Sequence, residues 1–382
     1  MNILRWAARN FHYYATILLA LALLPLLRLS HIPFRYDMKL FGLAYLLVGL
    51  ESVFFASLLY LVLVPGQLMQ SFIGNLERHR VRIVMLVLYF IVLLWTIPIL
   101  KVMFVMVATA AFLEIVESNK SPDSRRKAFR LIGPCVYLFI GLLLISSYND
   151  IILSLRRYVD YDLVFYNMDR WLLRGGSISL VSHWAIRTFS LSFFSFLEFV
   201  YYSLFPIIGV GLIYSSIGYD PQRGMRFVGT ILTGYYITLA IFYFWPSLGP
   251  YYLCRNHFSL FPHQFETYTV EKQVVQGALA RWSGAPLKVI SFEYYIAFPS
   301  MHIAESLIVL WFLRRWKRAF VLLTIYNVLV SVAIVFLEWH YLVDVLAGIV
   351  VAAIAIATAD LCSQDFGNQQ QRLTTSIAAA ER

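Results

Sequence analysis

The feature that most constrains this chain is a series of nearly uncharged apolar runs, about 18 to 25 residues each, long enough to cross a bilayer as helices. Across 382 residues the chain is 60% hydrophobic and only 14% charged. A soluble protein of this length has too little interior to hide that much apolar surface. The sequence therefore predicts an all-α fold, a polytopic membrane helical bundle with about ten transmembrane helices.

The spans fall at 11–29, 40–64, 82–97, 101–117, 131–147, 196–216, 226–246, 300–313, 319–337 and 341–361. The run 82–116 would be roughly 50 Å long as one helix, too long for a single crossing. Pro98 and Lys101 supply a break near its middle. Arg5 and Arg9 lead into the first run, and LLPLLRLSHIPF offers no small-residue cleavage site. This segment reads as a transmembrane helix and not as a cleavable signal.

Orientation follows from the loops. With the N-terminus in the cytoplasm, ERHRVR (77–82), RRKAFR (125–130), RRWKR (314–318) and Arg223 all lie inside, as the positive-inside rule requires. Arg35 and Lys39 fall outside, against the trend. Both termini are then cytoplasmic, and segments 148–195 and 247–299 lie outside. SISLVSHWAIRTFSLSFF (177–194) is too polar for a span and predicts an interfacial or re-entrant helix. Segment 247–299 carries too many aromatics for disorder, whereas the polar tail 363–382 reads as disordered. The formal charge of +10 is accounted for by loops that set orientation and meet anionic lipid, so nucleic acid is not an expected partner. Cys135, Cys254 and Cys362 are far apart and odd in number, and they show no disulfide framework or zinc spacing.

Two short stretches carry chemistry. In FPSMHIA (298–304), Pro299 and Ser300 open a span, and Pro is favoured in a first helical turn. The free N–H groups and dipole of such a helix end make an anion site beside His302. In EWHYLVDVLAG (338–348), His340 and Asp344 are four apart and share a helix face. A carboxylate accepting from one ring nitrogen fixes the tautomer, leaves the other nitrogen free to attack, and stabilises the cation that forms. Counting crossings brings both histidines and Asp344 to one membrane level, at the outer face. Two histidines and an acid suggest phosphoryl transfer through histidine. One imidazole attacks phosphorus; the other protonates the leaving oxygen and then activates water or an alcohol.

PSMH and HYLVD resemble the Pro-Ser-x-His and His-x-x-x-Asp motifs of the type 2 phosphatidic acid phosphatase superfamily. AFPSMHIA together with HYLVDVLAG is similar to its inositolphosphotransferase branch, which includes inositol phosphorylceramide synthases. The resemblance implies His340 as nucleophile, Asp344 as its orienter, His302 as general acid and Ser300 as a phosphate ligand. It also implies a six-helix core that uses no metal and no cofactor. The last six spans, within 131–362, supply that number; residues 1–130 hold about four further helices, and 363–382 form the tail.

The resemblance has gaps. The Lys-x6-Arg-Pro motif is missing, and Ala333 and Ile334 stand where the superfamily has Ser-Arg. WPSLGPYY (245–252) resembles a Pro-rich segment of the branch but lacks its basic residue. A phosphate site needs positive charge, and Arg255, Arg281 and Lys288 in the 247–299 loop are the candidates to supply it. YDLVFYNMDRWLLRGG (161–176) resembles the branch's Asp-rich stretch, which makes Asp169 and Arg170 candidates for head-group contact. Glu305, three residues past His302, is a candidate to orient it or to meet a polar acceptor. Trp339 reads as an interface anchor and Gly348 as a site of close helix packing.

The expected substrate is a membrane phospholipid or other lipid-linked phosphate, handled on the extracytoplasmic face of a plasma or inner membrane. Water as acceptor makes a phosphatase; a polyol, sugar or lipid alcohol makes a transferase, which the resemblance favours. A non-catalytic lipid-binding or transport protein is the competing class, although the matched broken helices of transporters are not visible.

Overall fold

Helices account for the regular structure, and no strand occurs among the described residues. The computed structural model describes residues 3–29, 161–217, 222–254 and 296–359, with scattered positions between 133 and 153 and between 267 and 279. The expected spans 40–64, 82–97 and 101–117 and the tail 363–382 lie outside the described residues. The helices are α1 (Ile3–Leu29), α2 (Ile140–Leu153), α3 (Tyr161–Leu172), α4 (Ile178–Thr188) and α5 (Leu191–Tyr202). They continue with α6 (Leu204–Ile217), α7 (Arg223–Phe244), the short α8 (Pro250–Cys254), α9 (Met301–Leu313), α10 (Lys317–Phe336) and α11 (Leu342–Ala359).

Among the described residues, four helical stretches are long and apolar enough to cross a membrane: 191–216 (α5 with α6), α7, α10 and α11. Their surroundings differ. The most apolar stretch of α7 is 72% buried, whereas that of α10 is only 33% buried. So α7 is the central post of the bundle, and α10 turns Phe320, Val321, Leu322, Ile325 and Val328 outward, as a helix facing lipid must. The main core gathers Phe227, Ile231 and Leu232 of α7 with Ile308 and Val309 of α9, Leu212 of α6 and Ala352 of α11. Two hydroxyls on α7 are satisfied within the helix: Thr230 and Thr233 each donate to a carbonyl one turn back, at 2.7 Å.

The expected interfacial helix at 177–194 is two helices. Ser177 accepts from the Leu180 amide at 3.3 Å and starts α4. Phe189 is extended, and Ser190 accepts from the Phe193 amide at 3.4 Å to start α5. Two serine caps thirteen residues apart thus divide a stretch whose composition alone reads as one element. The membrane-length helix consequently begins at 191 and not at 196. Its own interruption at Ser203 has a covalent cause, because Pro206 has no N–H to give to the carbonyl of Tyr202.

Helix α1 is fastened to α7 by a polar cluster. The hydroxyl of Thr16 lies 2.5 Å from that of Tyr236 and 3.0 Å from that of Tyr137, whose hydroxyl also lies 3.0 Å from Nδ1 of His12. The His12 ring fills the space left by Gly229, where a Cβ would come within 2.6 Å of Nε2. In an apolar bundle such side-chain bonds contribute about 0.6 to 2 kcal/mol each.

Candidate active site

Helix α10 ends at Phe336, and the chain turns through Leu337–Tyr341 before α11 begins. Glu338 takes a left-handed conformation (φ 60°), and the His340 amide returns to the Ile334 carbonyl at 3.1 Å. The turn carries His340 inward, where it is 4% exposed. Its Nδ1 lies 2.8 Å from the carbonyl oxygen of Ala297 and 3.3 Å from Oδ2 of Asp344. A carbonyl only accepts, so Nδ1 carries the hydrogen and Nε2 keeps its lone pair. Burial pulls the His340 imidazole down to about 4, against a smaller upward pull from the Ala297 carbonyl. The ring is therefore neutral near pH 7, the state a nucleophile needs.

Asp344 sits on the first turn of α11 and divides its work. Oδ2 accepts the Tyr341 amide at 2.9 Å as well as facing His340. Its backbone carbonyl accepts the Ser300 amide at 3.1 Å, which joins the start of α11 to the start of α9. Gly348 permits that approach, since a Cβ there would collide with the Ser300 carbonyl oxygen and lie 3.1 Å from Cβ of Ile303.

Ser300 is the N-cap of α9 and is fully buried. Its amide is engaged, but its hydroxyl has no hydrogen-bond partner among the described residues. The first-turn amides of Met301, His302 and Ile303 have no intrahelical acceptor, as in any helix start. A buried free hydroxyl beside such amides is suited to hold an anion. His302, on the same turn, places its ring centroid 6.0 Å from that of His340. The other face of the His302 ring environment is aromatic: Tyr201 of α5 stacks on it at 4.1 Å and 17°, and Trp339 stacks on Tyr201 at 5.1 Å and 5°. Trp339 is thus half-buried inside the site rather than a simple interface anchor.

Two buried acids on α3 hold the segments that carry these residues. Asp162 accepts from the Ser247 hydroxyl at 2.7 Å and from the amides of Leu248 and Gly249. Gly249 has a positive φ of 97°, and a Cβ there would come within 2.6 Å of the Trp339 carbonyl oxygen. The Ser247 carbonyl in turn accepts the Ala297 amide at 3.0 Å. Asp169 accepts the amides of Leu342 and Val343 at 2.8 and 2.9 Å, capping α11 two residues after His340. Burial raises the Asp169 carboxyl, and the two amides oppose the rise. Asp162 and Asp169 are seven apart, two helical turns, and so share one face of α3.

The remaining candidates are distributed as follows. Asp169 is fully buried with both oxygens on backbone amides, and its neighbour Arg170 is exposed. Glu305 is buried on α9 and hydrogen-bonded to Tyr235 of α7. Arg255, Arg281 and Lys288 lie outside the described residues. Glu338, two residues before His340, is 3% exposed and hydrogen-bonded to Ser182 of α4. Burial pushes its carboxyl up to about 7, with the Ser182 bond opposing. Among the described residues no three His, Cys, Asp or Glu side chains gather as a metal site would require.

Sequence reasoning missed the Ala297 carbonyl, Tyr201 and the clamp from Asp162. Asp162 and Asp169 left a signal in their seven-residue spacing within an otherwise apolar stretch. The other two are tertiary contacts without a local pattern.

Residues 165–358 match the family model described as the PAP2 superfamily, a stretch that begins in α3 and ends in α11. No curated protein and no solved structure matches the chain.

Proposed function

The chain belongs to the PAP2 superfamily, and from that premise we propose that it transfers phosphoryl groups of lipid phosphates through a phosphohistidine on His340. Superfamily membership brings phosphatase or phosphotransferase chemistry and lipid phosphate substrates. The observation that carries the residue assignment is the pairing of His340, held as its Nδ1–H tautomer, with His302 at 6.0 Å between rings.

In the first half, Nε2 of His340 attacks phosphorus. The P–N bond forms, the P–O ester bond breaks, and His302 gives its proton to the leaving oxygen. In the second half, His302 takes the proton of an incoming hydroxyl, whose oxygen attacks phosphorus while the P–N bond breaks. Asp344 and the Ala297 carbonyl stabilise the charge on His340 between the halves. The Ser300 hydroxyl and the first amides of α9 hold the non-bridging oxygens. Arg255, Arg281 and Lys288 are proposed to add the cationic charge, with Arg255 first.

The incoming hydroxyl is proposed to belong to an alcohol: a polyol, a sugar or another lipid. The likeness of AFPSMHIA and HYLVDVLAG to the inositolphosphotransferase branch supports this. A second reading, water as acceptor, has an observation in its favour. Asp162 and Asp169 are spent on backbone amides and Glu305 on Tyr235, so these acids do not line an open acceptor pocket.

The wider arrangement proposed is ten spans, the last six forming the catalytic core, with both termini cytoplasmic. Sidedness is supported by the two ends of α9. His302 is at its start, whereas Arg314, Arg315, Lys317 and Arg318 are exposed around its end, roughly 20 Å away for a 13-residue helix. Basic turns stay in the cytoplasm, which supports an outer-face position for the histidines.

Purified wild type and His340→Ala, given lipid phosphates and phosphodiesters with and without inositol or simple sugars, test the proposal. A new phosphodiester that needs both acceptor and His340 establishes the transferase. Phosphate release that needs only His340 establishes the phosphatase. Equal turnover by wild type and variant would remove His340 from the chemistry.

A further inference from the structure

We infer that Tyr201 is a positioning residue for His302, acting through a three-ring column that ties the general acid to the turn bearing the nucleophile. The inference rests on the reading of His302 as proton donor to the leaving oxygen.

The geometry is specific. Tyr201 is 8% exposed and stands on α5, a helix that carries none of the reacting groups. One ring face lies against His302 at 4.1 Å and 17°, nearly parallel. The column continues to Trp339 at 5.1 Å and 5°. Trp339 precedes His340 directly, so the column spans from α9 through α5 to the turn after α10. Its buried surroundings are packed: Leu197 and Val200 of α5 lie in one core cluster with Ile303 of α9 and Val330, Ala333 and Ile334 of α10.

The column has two physical consequences. An imidazole on a helix start has free rotation about χ1 and χ2, and a proton donor misplaced by an ångström loses most of its effect. A parallel ring at van der Waals distance removes that freedom on one face of His302. A phenol face is also electron-rich and attracts a cation placed over it, so it favours the imidazolium that must donate. Among the described residues the His302 ring meets Tyr201 at 4.1 Å and the His340 ring at 6.0 Å, so the Tyr201 stack is the closer of these two ring contacts and the one that holds its plane.

Leaving-group dependence separates this role from simple support of the fold. An alkyl lipid phosphate needs a proton on its departing oxygen; a nitrophenyl phosphate departs as a stable phenolate and does not. The full-length chain is assayed on both esters as wild type, Tyr201→Leu, Tyr201→Phe and His302→Ala. Tyr201→Leu is expected to lose about tenfold or more on the alkyl ester and less than about threefold on the aryl ester, while Tyr201→Phe stays near wild type on both. His302→Ala is expected to show the same selectivity, more strongly. If His302→Ala is selective and Tyr201→Leu is equally impaired on both esters, or unimpaired, the positioning role is wrong. A wild type inactive on either ester, or His302→Ala impaired equally on both, overturns the acid reading beneath it.

Discussion

His340 points its Nδ1 at the carbonyl oxygen of Ala297, 2.8 Å away, and only secondarily at Asp344, 3.3 Å away. The tautomer of His340, the proposed nucleophile, is therefore set by the backbone just ahead of the Pro299–Ser300 pair. Asp344 adds charge stabilisation and braces the turn through the Tyr341 amide.

This division predicts unequal losses. Asp344→Asn keeps the carbonyl that holds Nδ1–H, so kcat should fall by about 10²-fold, whereas His340→Ala should lose about 10⁴-fold or more. Steady-state kinetics on one lipid phosphate compares them. Equal losses would mean that the carboxylate, and not Ala297, holds the tautomer.

The acid side of the rate profile should be displaced. A histidine must lose its proton to attack, and burial places His340 at about 4, below its ordinary 6.5. Activity limited by this group is therefore kept as pH falls through 6.5 and lost on approach to about 4. A kcat/KM profile whose acidic limb sits at the ordinary histidine value would contradict a buried, neutral nucleophile.

Asp169 and Arg170 should separate cleanly. Asp169→Ala strands two amides at the start of α11 and should cost about 2 to 4 kcal/mol, with Asp169→Asn nearer half of that. Arg170→Ala, on the exposed side of the same turn, should cost less than about 0.5 kcal/mol. Chemical denaturation in detergent measures both. A change in head-group preference with unchanged stability in Asp169→Asn would instead make it a substrate contact.

Glu338 should make stability fall as pH rises. Its folded value of about 7 exceeds the ordinary 4.5, so between these values the folded state binds the extra proton, and its contribution is lost as pH climbs through 7. His340, shifted downward, acts in the opposite sense between about 4 and 6.5. Comparing melting temperatures of wild type and Glu338→Gln from pH 5 to 8 isolates the first effect. The difference between them should widen towards pH 8, and parallel curves would count against a buried, protonated Glu338.

Some of this was legible in the residues. The apolar runs at 226–246, 319–337 and 341–361 coincide closely with α7, α10 and α11, because lipid leaves a long uncharged segment little choice but a helix. PSMH and HYLVD marked the two histidines that the fold brings to 6.0 Å between rings, because each motif is short and local to a helix start. Segment 177–194 was less legible: its composition suggests one surface helix, and the caps at Ser177 and Ser190 make two.

What the sequence by itself determined is the medium, the helical class and the candidates for the reacting groups, since each depends on local composition or on spacing within one helix. The tertiary structure alone decided which partners hold them. Ala297 is 43 residues from His340, Asp169 is 173 from Leu342, and Tyr201 meets His302 across two helices. Contacts at such separations depend on how helices pack side by side, and a carbonyl, a cap or a ring face leaves no periodic trace in the chain that supplies it.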